Sequence, residues 1–181
     1  TDDKEAFNGF KETANILNPN IDLFYLDVLS SINEIKIACE AIKNFEKPIL
    51  IGVHSNKKGN LPSGETIEDL IPISNNYNCC GIITACVSPE IFNLVIPKLI
   101  NQNLPFGFKV NAFKDIPENK ALEADLYLNG YPTERYGSRA DKFTPDVFKK
   151  FVISSSKQGA TFLGGCCEIK PRHIKTLKNL F

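Results

Sequence analysis

Five short apolar runs, each able to form a buried strand, recur along these 181 residues at 21–28, 48–53, 80–86, 105–110 and 160–163. Helix-like or loop sequence separates them, an alternation that predicts βα units and a parallel sheet. The helices are legible as well. Ile35, Ala38, Cys39, Ile42 and Phe45 share one face at helical spacing, and Ser88-Pro89-Glu90 and Thr144-Pro145-Asp146 read as caps followed by proline and an acid. Five such units are too few to close an eight-stranded barrel. The runs alone therefore leave open a portion of a barrel or a complete open sheet of five strands. Residues 111–143, polar and punctuated by Pro117, Gly130, Pro132 and Gly137, stand where a further helix is expected. A loop of that length in a compact domain is usually functional or disordered.

In parallel α/β folds, chemistry is assembled where the strands end. The last run leads straight into Gly164-Gly165-Cys166-Cys167, followed by Pro171, His173 and Ile174. Proline suits a first helical position, so the two thiols sit in a strand-to-helix loop. Cys86 ends the third run just before the Ser88 cap, which places it at the same edge. Zinc in catalytic sites takes three protein ligands and keeps one exchangeable position, and thiolates are among its preferred donors. The same residues also fit three buried apolar cysteines, because a gap of roughly 80 positions is no local zinc signature. A vicinal redox pair at Cys166 and Cys167 is a third reading, although a disulfide between neighbours is strained.

The other candidates weigh less. Cys79 and Cys80 start the strand that Cys86 ends, about 20 Å away, so they cannot share its metal. Cys39 on an apolar helix face reads as a small hydrophobe. His173 is a fourth ligand or, more simply, a cap in the first turn of the last helix. His54, after the second run, is a ligand, a base or a polar loop residue.

Composition narrows the partners. Basic and acidic side chains balance at 21 each, with no basic block, which argues against nucleic acid or a polybasic membrane patch and for a small neutral or zwitterionic ligand. No apolar run approaches the roughly 18 residues of a membrane span, and the N-terminal stretch lacks the layout of a signal peptide. A cytosolic location is expected, where six cysteines are free thiols or ligands rather than a disulfide framework. Methionine is absent even from position 1, so the chain reads as the later part of a longer protein.

The GGCC-x-x-x-P-x-H-I run, Gly164 to Ile174, resembles the zinc-dependent homocysteine S-methyltransferase family, which includes betaine-homocysteine methyltransferase. Gly59-x-Leu61-x-x-Gly64 after the second run, Cys86 after the third and Asn111 after the fourth support the resemblance. It implies a TIM (β/α)8 barrel type of fold, with residues 1–181 forming the later βα units of the homocysteine-binding domain and only the last five or so strands present. It also implies Zn2+ on Cys86, Cys166 and Cys167, with the homocysteine sulfur in the fourth position. Asp27, Asn111, Gly164 and Gly165 would bind substrate, Asp27 through the substrate ammonium.

The activity implied is methyl transfer from a small onium donor, of the S-methylmethionine or betaine type, to homocysteine. The product would be methionine, formed in the cytoplasm by a monomer or homo-oligomer. Phe113, Tyr127, Tyr131 and Tyr136 are candidate aromatic walls for an onium group. Two departures stand inside the match: Ala85 where members commonly have Asn, and Asp27 where they have Glu. Two other functions compete, a non-catalytic zinc-binding remnant or subunit and a vicinal-thiol redox protein.

Overall fold

Short polar side chains set where the helices begin. The hydroxyls of Ser31, Ser88 and Thr144 accept hydrogen bonds from the backbone N–H groups of Glu34, Ile91 and Val147, at 3.1, 3.3 and 3.4 Å. Each satisfies a donor that a helix start leaves without a partner. Proline follows two of them, at Pro89 and Pro145, where a missing N–H costs nothing.

The computed structural model describes residues 2–114, 136–139, 141–178 and 180. Its elements in chain order are α1 Asp3–Leu17, β1 Phe24–Leu29, α2 Ile32–Ile42, β2 Ile49–Val53, α3 Leu70–Asn76, β3 Cys79–Val87, α4 Pro89–Leu99, β4 Phe106–Val110, α5 Pro145–Lys157, β5 Phe162–Gly165 and α6 Pro171–Lys175. All five predicted strands are present, each shifted by a few residues at most. Helices α1 and α3 were not anticipated. Phe7, Phe10, Ala14 and Leu17 of α1 do stand at helical spacing, and Phe7, Phe10 and Ala14 pack on the core, whereas α3 is a short helix. Most of the 111–143 stretch lies outside the described residues, including Tyr127 and Tyr131.

The strands pair in the order β1-β2-β3-β4-β5, all parallel. Each strand lies beside its predecessor, and right-handed crossovers then carry the connecting helices to one face of the sheet. A doubly wound sheet needs a reversal of strand order, which this order lacks. The architecture is an α/β fold of the (β/α)-barrel type, with an open five-stranded sheet rather than a closed barrel. Among the described residues no helix is long and apolar enough to cross a membrane.

The helix-covered face holds the main core, from Phe24, Ile51 and Ile82 to Phe92, Phe108 and Phe148. Phe108 of β4 meets Phe92 of α4 and Phe151 of α5, with ring centroids 4.9 and 4.8 Å apart, which locks both helices onto the strand. The opposite face carries a smaller cluster of Leu50, Ile83 and Ala85 with Tyr25 and Phe162 packed against it. Those two aromatics overlie glycines. A Cβ on Gly52 would lie 2.7 Å from the Tyr25 ring, and one on Gly81 2.4 Å from the Phe162 ring.

Two strands are irregular at the same end. Register slips between Leu26 and Leu29 in β1 and between Ala85 and Val87 in β3, and Val28 and Cys86 take left-handed φ values of 60° and 55°. A β-branched or bulky residue rarely adopts that conformation, and bulges of this kind re-aim side chains beside functional sites. Here they turn the carboxyl ends of β1 and β3, where Asp27 and Cys86 stand.

Candidate functional site

Three thiols converge at that end of the sheet. Cys86 sits in the β3 bulge, and Cys166 and Cys167 follow β5 directly. Their sulfurs lie within 4.8 Å of one another, with Cys86 to Cys167 at 3.9 Å and Cys166 to Cys167 at 3.8 Å. Backbone bonds fix the loop that carries the last two. Cys166 N–H donates to the Val110 carbonyl at 2.7 Å, Ala112 N–H to the Cys167 carbonyl at 3.0 Å, and Ile169 N–H back to the Cys166 carbonyl at 3.0 Å. The β5 loop is thus stitched to the end of β4.

Asn111 holds the Cys86 side of the cluster. Its Nδ2 donates to the Cys86 carbonyl at 2.7 Å and reaches the Cys86 sulfur at 3.8 Å, while its Oδ1 accepts from Phe113 N–H at 3.1 Å. The residue is buried, and it steadies Cys86 in its left-handed conformation. Of the residues expected to contact substrate, Asn111 is therefore placed against a candidate ligand. Gly165 is placed differently: a Cβ there would lie 2.3 Å from the Ile169 side chain, so its small size serves packing inside the loop. Gly164 has room, its nearest prospective neighbour being the Phe108 carbonyl at 3.5 Å.

The three thiols share charge unevenly. The neighbouring sulfurs of Cys167 and then Cys86 hold the Cys166 thiol far below the ordinary range, with the Lys109 ammonium assisting. Closeness to the Cys166 sulfur pushes Cys86 and Cys167 up, because one thiolate disfavours a second beside it.

A four-coordinate zinc with Zn–S bonds near 2.3 Å sets neighbouring sulfurs about 3.8 Å apart. The two closest separations match that spacing. Cys167 is exposed, so one side of the trio faces outward. Donor chemistry, spacing and an open side fit a three-thiolate zinc centre.

Neither histidine joins the trio. Both nitrogens of His173 are used: Nδ1 accepts from Lys170 N–H at 2.9 Å, and Nε2 donates to the Phe143 carbonyl at 3.1 Å. It packs edge-on to Phe148 and closes the first turn of α6, which is the simpler of its two predicted roles. His54 is buried, and its Nδ1 donates to the carbonyl of Ala85, next to Cys86, at 3.3 Å. It steadies the strand end from below. Cys80 is bonded to the Ile49 carbonyl at 3.4 Å, far along β3 from Cys86, and Cys39 is fully buried in the core.

Burial lowers the affinity of His54 for a proton, outweighing the bond to Ala85. Its folded pKa then lies below the unfolded value near 6.5, so the unfolded chain binds more protons between the two, and folding weakens as pH falls through that window. In the reduced, metal-free chain, His54→Gln is expected to flatten this acid-side loss. Urea unfolding from pH 7.5 to pH 5 would measure it, and an unchanged slope would refute the assignment.

Lys109 was not among the predicted site residues. It pairs with Asp27 and lies 5.4 Å from the centroid of the Tyr25 ring. The signal was present in the strand FGFKV, where a lysine shares the period-2 face of Gly107. A second ion pair, Arg139 to both carboxylate oxygens of Glu90 at 2.9 and 3.0 Å, walls a cleft of 350 Å³ that His54, Asn111 and Phe113 also line. Phe113 and Tyr136 are buried against each other with centroids 5.5 Å apart. A larger groove of 740 Å³ runs along the open edge of β1 between α1 and α2 and reaches Asp27.

A barrel-type sheet with cysteines gathered from two strand ends defines a class, the α/β proteins with a thiol cluster at the carboxyl edge that could hold a metal ion. The family model of homocysteine S-methyltransferase matches residues 1–181, and the chain belongs to that family. No curated protein sequence matches it.

Proposed function

We propose that the chain is a zinc-dependent methyltransferase that moves a methyl group from a small onium donor, S-methylmethionine or betaine in type, to the thiol of homocysteine or a related acceptor. The observation that carries this is the trio of sulfurs, two of whose separations match zinc-thiolate spacing, in a member of this family. Cys86, Cys166 and Cys167 would hold the metal. Zinc bound there would keep an acceptor sulfur deprotonated at neutral pH, where a free thiol with a pKa near about 8.5 is mostly protonated.

The chain's own residues supply placement. Asn111 and His54 hold the backbone on either side of Cys86, and the β5 loop presents Cys166 and Cys167 to it. In the transfer, the methyl carbon leaves the donor's sulfur or nitrogen, whose bonding pair stays on the donor, and bonds to the acceptor sulfur. Alignment of the two can supply several kcal/mol of the barrier. Phe113 and Tyr136 are candidate walls for the donor. Methionine formation in the cytoplasm, without nucleic acid or membrane, completes the reading and rests on balanced charge and reduced thiols.

The test is product formation. Zinc-loaded chain, homocysteine and either donor should yield methionine by mass spectrometry, and Cys166→Ser should yield none. A zinc-loaded chain that forms no methionine from either donor would leave a non-catalytic zinc-binding protein.

A further inference from the structure

Lys109 stands on β4 with Ala85 and Gly164 as its register neighbours on β3 and β5. Both are small, so its stem has lateral room, and its Cγ lies 4.0 Å from where a Gly164 Cβ would stand. The ammonium pairs with Asp27 on β1 while resting near the Tyr25 ring. Strands β4 and β1 are three spacings apart, about 14 Å in a flat sheet. Two side chains can close that gap only because the sheet curls. The same lysine is the register partner of Gly164, two residues before Cys166.

Asp27 is the carboxylate expected to take a substrate ammonium, yet it is already matched by an internal one. An incoming amino group must displace a tethered cation whose effective concentration is high and whose position an aromatic face supports. An anionic end, by contrast, meets a positive charge beside the thiols.

We propose that Lys109 is a specificity-determining residue that fills the ammonium position against Asp27 and turns the site toward acceptor thiols bearing a carboxylate without need of a free α-ammonium. Mercaptocarboxylates and N-acylated homocysteine are the chemical classes meant. The inference rests on the reading of Cys86, Cys166 and Cys167 as a metal centre.

The experiment uses the full chain loaded with Co2+, whose thiolate absorption reports ligand binding without turnover. Homocysteine and 4-mercaptobutanoate, the same acid without the ammonium, are titrated into the wild type, Lys109→Met and Lys109→Arg. The wild type is expected to bind the two within about threefold, Lys109→Met to favour homocysteine by about tenfold or more as Asp27 is released, and Lys109→Arg to restore the narrow ratio. A wild type that favours homocysteine about tenfold, or a ratio unmoved in Lys109→Met, overturns the proposal while leaving the metal centre standing. Should Lys109→Met not fold, the wild-type ratio decides alone. Cobalt uptake with neither thiol bound also overturns it. No cobalt uptake removes the metal reading and this inference with it.

Discussion

Replacing Cys166 by serine is expected to abolish metal binding: the reduced wild-type chain should purify with about one zinc, and the variant with less than about a tenth of that. The size of the effect follows from the geometry. The Cys166 sulfur is one of three within 4.8 Å of one another, 3.8 Å from that of Cys167, and of the three its thiol is the one held below the ordinary range. Serine keeps the volume but offers a hydroxyl, which stays protonated at neutral pH and is a poor zinc donor. Two thiolates remain, one fewer than the three protein ligands zinc takes in catalytic sites. Elemental analysis of both proteins, with thermal melts to show that the variant is folded, makes the comparison. Equal zinc in the two would end the three-thiolate reading. A wild type without zinc but with a reversible bond between Cys166 and Cys167 would favour the redox alternative.

Gly107→Ala should be the most damaging single methyl in the sheet. A Cβ at that position would stand 1.9 Å from the Phe162 carbonyl oxygen and 2.5 Å from the Phe162 Cβ. The obstacle is the backbone of the paired strand, since Gly107 and Phe162 are register partners between β4 and β5, and backbone cannot rotate aside as a side chain can. We expect a loss of about 3 kcal/mol or more, at the upper end of overpacking, which for a chain of this size lowers Tm by about 6–12 °C. Zinc should fall with it, because β5 carries Gly164 and Gly165 and leads directly to Cys166 and Cys167. Gly164→Ala is the control: its nearest contact, 3.5 Å, is ordinary, so stability should change little. Similar melting temperatures for the two variants would show that the sheet yields more readily than its packing indicates.

Helix starts, strand positions and the thiol trio were all within reach of sequence, for a shared reason, whereas the strand order was not. A cap such as Ser88, a proline at Pro89 or a run such as Gly164 to Cys167 acts through its own backbone and nearest neighbours, so its meaning survives without the rest of the fold. Cys86, Cys166 and Cys167 could be gathered on paper because parallel strands bring their carboxyl ends to one edge. Helix α1 was legible too, through Phe7, Phe10, Ala14 and Leu17 at helical spacing, and it packs on α2.

What the tertiary structure alone decided depends on distances between strands. Asp27 and Lys109 are 82 positions apart and on strands that never touch, and only the curl of the sheet joins their charges. The role of Gly165 as a seat for Ile169, and of His54 as a support for the carbonyl next to Cys86, likewise arise from packing between segments. Residue types and local spacing determine which groups reach the site's edge. Sheet curvature and the two bulges decide which of those groups meet, because side-chain contacts fall off over a few ångströms and no pattern along the chain encodes that separation.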